Sequence, residues 1–340
     1  MSDLYNIPND DGKYFRLNKF VEYQHKVPAI HPITIMKYFE ETSLSKDDLV
    51  RIAYLQSITY CEITTIFLYE ILKNNFYNKQ FIQDFWNKNK SKLIFNSARK
   101  WVYNKDMFCR LINDFNSIFG LNPYEKIKRI CKYDKFKNYS IIKKYLSYIK
   151  DCGRFAQDLF LEMMLKFYKN KLIDIELEEP LVLDWNKDAN MTSGLFNIMY
   201  EDELANEFDK KNKVNKQQEI MLYNCLLGVQ DKIKNTYPEQ DFSLQSFMTK
   251  ICSFRNLFKN QRYGGYHHDR QLENILKYKE VYPDYNFIWD KILSDRAILF
   301  DHKLLGELNN WKGIRKEMKK IWINKGLTGV EDIWAIKSWQ

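Results

Sequence analysis

The chain has 340 residues, of which 45% are hydrophobic and 16% aromatic. That is material for one large core or two smaller ones, and it excludes disorder over most of the length. Only 11 Gly and 7 Pro occur, too few for the turns of a sandwich or barrel, so the expected class is all-α. The net charge of +9 fits a polyanionic partner without requiring one, and the signal is discounted because a wealth of Lys, Asn, Ile, Tyr and Phe is also what an AT-rich genome encodes.

No apolar run approaches the ~18 residues that span a bilayer. The polar opening MSDLYNIPNDDGKYF does not read as a signal peptide, and the expected location is the cytoplasm, in an infected host cell. The six cysteines form no C-x-x-C pair and lie mostly among apolar residues, which predicts free thiols and no zinc module.

In chain order, residues 1–29 read as irregular and Pro32 opens a helix to about Glu41. Ser45 caps a second helix, with Asp47 and Asp48 in its first turn, predicted to run on to Leu72. Because Ile52 to Ile71 is apolar on most faces, that helix is expected to lie centrally. Glu62 within it reads as an acid at the helix edge or as a site carboxylate.

Further helices are expected over roughly 77–91, 106–119, 123–133, 139–150 and 155–169. The stretch LIDIELEEPLVLDWNKDAN (172–190) alternates Ile173, Ile175 and Leu177 and then meets Pro180, so extended structure with one short hairpin is expected there. Helices resume near Thr192 and over 216–233, 243–258, 268–279, 284–299 and 311–323, with a short one near Trp339. Lys210–Lys216 reads as a solvated basic loop. The expected organisation is an N-terminal helical region (1–94), a central catalytic region (95–310) and a helical extension (311–340).

Three clusters carry chemistry. The densest is SFRNLFKNQRYGGYHHDRQLENI (253–275). There Arg255, Lys259, Arg262 and Arg270 surround Gly264 and Gly265, whose backbone can approach a ligand closely. A helix starting after the glycines adds its positive end, so the segment reads either as a phosphate cradle or as an ordinary turn with a charged rim. Tyr263 and Tyr266 can stack on an extruded base. The adjacent His267, His268 and Asp269 match no helical metal-ligand spacing, so His268 is the better candidate for a general base or phosphate donor, and no metal or cofactor is expected.

The second cluster is YIKDCGRFAQDLFLEMM (148–164), where Gly153 and Phe155 suggest a helix-hairpin-helix turn. Asp158 and Glu162 share a helical face, pointing either to solvent or towards a cation or substrate amine. The third is LDWNKDANMTSGLFNIM (183–199), where Asp184 ends the extended stretch and Thr192-Ser193-Gly194 read as a helix cap or an anion-binding helix start.

Taken in order, the clusters resemble the α-glutamyl/putrescinyl thymine pyrophosphorylase family, in particular its amino acid:DNA transferase branch. The resemblance rests on Cys152-Gly153-Arg154-Phe155 with Asp158, on Thr192-Ser193-Gly194, and on the Gly-Gly-Tyr…Asp-Arg-Gln stretch at 264–271. It covers roughly residues 95–310. It implies a helical fold like that of DNA glycosylases and a phage enzyme acting on double-stranded DNA. In that reaction an amino acid or other amine displaces pyrophosphate from the 5-methylene carbon of activated 5-hydroxymethyluracil.

Under that resemblance, Arg255, Lys259, Arg262 and Arg270, with the backbone at Gly153, Gly264 and Gly265, hold phosphate and the departing pyrophosphate. Tyr263, Tyr266 or Phe155 stacks on the flipped base, and Asp158, Asp184, His268 or Asp269 takes the amine proton. The competing expectations are a helix-hairpin-helix glycosylase or lyase, with Asp158 as nucleophile, and a DNA-binding protein without catalysis.

Overall fold

A computed structural model describes residues 16–18, 20–21, 30–104, 106–180, 183–238, 244–258 and 266–299. At 253–254, 256–258, 266–270, 272–273 and 293–299, among others, the description is of the backbone alone. Every regular element among the described residues is a helix, so the fold class is all-α. None of these helices is long and apolar enough to cross a membrane.

The chain divides into two compact units. Of the described residues, those within 16–21, 183–270 and 298–299 belong to unit 1, and those within 30–180 and 271–297 to unit 2. Residues on both sides of the boundary expected at 94 therefore belong to one unit. The reason is visible in the packing: Trp86 stacks on Phe108 at 4.8 Å between ring centroids and meets Phe95 edge-on at 6.1 Å.

Unit 2 opens with α1 (Ile30–Tyr38), α2 (Lys46–Thr59) and α3 (Glu62–Leu72). Helix α2 starts where Ser45 forms a full capping box with Asp48, each side chain bonding the other's backbone amide. From Ile52 to Thr59 every residue is buried, as a centrally placed helix requires. The expected continuous helix to Leu72 is broken, however. Tyr60 adopts a left-handed conformation (φ 46°) and ends α2, and α3 begins anew after Cys61. Glu62 thus sits in the first turn of α3 and is buried, not placed at a helix edge.

There follow α4 (Lys79–Asn89), a 3-10 turn (Ser97–Tyr103), α5 (Met107–Phe119), α6 (Pro123–Ile130), α7 (Lys135–Leu146) and α8 (Arg154–Lys169). Helix α8 packs mainly along α2 and so lies at the centre of the unit. Residues 173–180 form no regular element, and alternate residues Ile173, Ile175 and Leu177 are buried in the core. The hairpin expected here does not form among the described residues. The segment bonds instead to helix α7, through Glu178 N–H to the Lys135 carbonyl (3.2 Å) and Asn138 Nδ2 to the Glu176 carbonyl (3.1 Å). Those bonds take up backbone groups that a partner strand would otherwise satisfy.

Unit 1 contains α9 (Ala189–Ile198), α10 (Asp202–Lys211), α11 (Lys216–Thr236) and α12 (Leu244–Phe258). Helix α9 packs on α10, α11 and α12 around Leu195, Phe196, Leu222, Leu226, Phe247 and Ile251. Helix α13 (Tyr266–Val281), from Gln271 onward, and helix α14 (Asn286–Leu299), as far as Ala297, belong to unit 2. There Tyr278, Tyr282 and Trp289 surround Phe67 at centroid distances of 4.5–5.5 Å. Aromatic pairs of this kind add about 0.5–1.5 kcal/mol each beyond the area they bury.

Candidate functional site

Of the expected 253–275 cradle, Lys259, Arg262, Tyr263, Gly264 and Gly265 lie outside the described residues. Tyr266, His268, Asp269 and Arg270 fall in the first turns of α13, where only the backbone is described. Arg255, on α12, can be placed, and it is committed within unit 1. Its Nη2 is ion-paired with Asp209, and its Nη1 donates to Asn190 Oδ1 at 2.6 Å. Ser193 Oγ donates to the other Asp209 oxygen at 2.5 Å. A guanidinium paired with a carboxylate has less charge to offer pyrophosphate, so this geometry gives Arg255 a structural part and counts against it as a pyrophosphate holder.

The Thr192-Ser193-Gly194 cap is also relocated. Asp188 precedes the first turn of α9, so the three residues lie inside the helix and all are buried. Thr192 Oγ1 donates back to the Trp185 carbonyl at 2.7 Å. At Gly194, α9 lies close against α12: a Cβ placed there would stand 2.7 Å from Ile251 Cγ1. These residues serve helix packing, and no helix start is open to an anion at Gly194. Asp184, by contrast, remains half-exposed and pairs with Lys187 at 2.7 Å.

In unit 2 the expected hairpin residues fall at the start of α8. Gly153 is the N-cap of α8, in extended conformation (φ −66°, ψ 169°) and with no side-chain cap bond. A Cβ there would meet nothing within 4 Å. Glycine is therefore not needed for its φ; its effect is to leave the helix end open. Phe155, two residues on, is 37% exposed.

Asp158 lies further along α8 and is mostly covered. It accepts from Lys143 Nζ at 2.5 Å. Asp158 thus faces a cationic side chain of the chain itself, and Glu162 on the same helix face is buried. Tyr139 beside them has its phenol held far above the usual tyrosine range, first by burial and then by the charges of Glu179, Asp158 and Glu162. An ion-paired carboxylate is a weaker proton acceptor than a free one, which counts against Asp158 as the general base.

One residue of this region has no counterpart in the expected set. Arg99, in the 3-10 turn, is only 5% exposed, and its Cζ lies 4.7 Å from the centroid of the Phe155 ring. Tyr60 meets the same ring edge-on at 5.2 Å. Burial lowers the Arg99 guanidinium to about 10, with Cys152 and Tyr60 acting in the opposite direction. The local sequence SARKWVY gives no hint that one of its two cations is enclosed.

An open groove of about 530 Å³ lies elsewhere on unit 2, between α6 and residues 174–176. Lys128, Arg129 and Lys132 face Glu125, Asp174 and Glu176 along it, so it has no preference for a polyanion, and none of the candidate residues lines it. No group of His, Cys, Asp and Glu among the described residues is arranged to hold a metal ion.

No family model, curated protein or solved structure matches the chain.

Proposed function

We propose that the chain is a DNA-modifying transferase that attaches an amino acid or another amine to pyrophosphate-activated 5-hydroxymethyluracil in DNA. The observation that carries this reading is the first turn of α8. An uncapped helix end lies beside the exposed Phe155 ring, and an aromatic face next to backbone donors suits a nucleotide with its phosphate. The resemblance of Cys152–Phe155 to the family's hairpin supplies the reaction.

In that reaction the amine nitrogen bonds to the 5-methylene carbon while the carbon–oxygen bond to pyrophosphate breaks. The bonding pair leaves with pyrophosphate, and the ammonium proton passes to a carboxylate or imidazole. With Asp158 held by Lys143, the general base is sought among Asp184, His268 and Asp269. The same ion pair weakens the glycosylase alternative, which needs Asp158 as a free nucleophile.

The test is incubation of the purified chain with pyrophosphate-activated 5-hydroxymethyluracil DNA and a pool of amino acids, then digestion to nucleosides and mass measurement. The reading expects an amine–thymidine adduct with release of pyrophosphate, lost in Arg262→Ala while the fold persists. Unmodified activated nucleoside throughout, or an Arg262→Ala variant as active as the parent, contradicts it.

A further inference from the structure

We propose that the N-terminus of α8 is a built oxyanion site, where a phosphate-class group sits between the Arg99 guanidinium and the first-turn amide of Phe155. The proposal does not rest on the transferase reading, since it concerns binding alone.

The argument begins with an imbalance of charge. Buried arginines ordinarily sit beside carboxylates. In this chain Arg16 pairs with Asp202 at 2.8 Å, Arg51 with Asp48 at 3.0 Å, and Arg255 with Asp209. Among the described residues no carboxylate pairs with Arg99, and none accepts a hydrogen bond from its buried Nε and Nη2. The groups acting on its charge are Cys152 and Tyr60. Cys152 cannot serve as counter-ion, because burial pushes its thiol up to about 12 and keeps it neutral near pH 7.

Location sharpens the imbalance. Phe155 is in the first turn of α8, and Cys152 directly precedes the cap. The guanidinium therefore stands at the positive end of a 16-residue helix, where a second cation is unfavourable. The amides of Ala156 and Gln157 turn back to the Gly153 carbonyl at 2.9 and 3.2 Å. The Phe155 amide precedes the point where in-helix acceptors begin, and Gly153 brings no side chain to cap it.

One ligand resolves all of these at once. An oxyanion neutralises the buried cation, accepts from the guanidinium fork and the helix amide, and fits the space left open at Gly153. A phosphate-class group carries enough charge to offset both the guanidinium and the helix dipole. Its source is free phosphate, pyrophosphate or a DNA backbone, and the experiment separates these.

The test is the thermal transition of the full chain in inorganic phosphate, in pyrophosphate, or with a short DNA duplex, each against sodium chloride of equal ionic strength. A saturating ligand is expected to raise Tm by about 3 °C. Arg99→Met should abolish the response while leaving the ligand-free Tm unchanged or higher, since it removes an unpaired buried charge. Gly153→Asp should raise the ligand-free Tm and also abolish the response, because its carboxylate takes the place of the anion.

A response in any arm that both variants lose supports the site and names its source. No response in any arm, or one that persists in either variant, overturns it. Should Arg99→Met not fold, the Gly153→Asp variant and broadening of the phosphate ³¹P signal by the parent chain decide the question. A chain inactive in transfer that keeps this response separates the failure of one reading from the failure of the other.

Discussion

Single side chains in this protein divide by whether their charge is answered inside the fold. Arg255 was expected at a ligand, because SFRNLFKNQRYGG places it among other cations, but no local pattern reveals that Asp209, 46 positions away, reaches it. Its side chain is 12% exposed. Arg255→Ala should therefore cost unit 1 about 2 kcal/mol, measured by urea unfolding, because it leaves a partly covered carboxylate half-satisfied. Stability equal to the parent's would mean that the arginine is available to a ligand after all. Arg99 was illegible for the opposite reason. Its isolation arises only when Tyr60 and Phe155, 39 positions before and 56 after it in the sequence, converge on it. Another buried polar contact is a single hydroxyl serving two partners. Tyr278 bonds Thr64 Oγ1 at 2.8 Å and receives the Ile94 amide at 2.9 Å. Tyr278→Phe should destabilise unit 2 by about 1–3 kcal/mol through those stranded groups, and a change below the error of the urea midpoint would refute the pairing.

At the scale of elements, what the sequence discloses is what local chemistry decides. The Ser45 cap and its two following acids were legible because a capping box needs only four consecutive residues. Helix α10 went unread, although Asp202 and Glu203 at its start and Lys210 and Lys211 at its end match the helix dipole and offered a signal. The break at Tyr60 left no such mark. No Gly or Pro stands there, and the left-handed Tyr60 packs edge-on against Phe155, a contact distant in sequence that no local pattern announces. The sequence places Gly194 at a helix start, whereas its effect is to let α9 lie close to α12. Gly194→Ala should force the two helices apart and cost about 1–3 kcal/mol, read as a lower denaturant midpoint for unit 1. An unchanged midpoint would show that Ile251 yields without strain.

Across the whole molecule, burial of weak acids sets a pH limit. Burial raises the thiols of Cys61, Cys109, Cys131, Cys152 and Cys225 from 9 to about 12. The phenol of Tyr282 is likewise raised to about 12. The folded chain thus keeps protons that the unfolded chain releases. Stability is fully present below about pH 9 and falls as pH rises towards 12, since the native state binds more protons there. Thermal unfolding followed by circular dichroism should show Tm constant from pH 7 to about 8.5 and declining steadily above it. A Tm that rises over that range would contradict the burial of these groups. The all-α class was legible from the scarcity of Gly and Pro, because composition averages over the whole chain and is indifferent to where each contact falls. The division into two units was not legible, since residues 30–180 and 271–297 fold together around an insertion that carries no compositional border.

The claim at the centre of this account is that the open end of α8 and the unanswered charge of Arg99 form one binding site. Crystals soaked in tungstate, a heavy-atom analogue of phosphate, test it directly through anomalous scattering. The account predicts a peak within hydrogen-bonding distance of both the Arg99 guanidinium and the Phe155 amide, absent from crystals of Arg99→Met. An empty helix end in fully soaked crystals, with an acidic side chain found against Arg99, would contradict it.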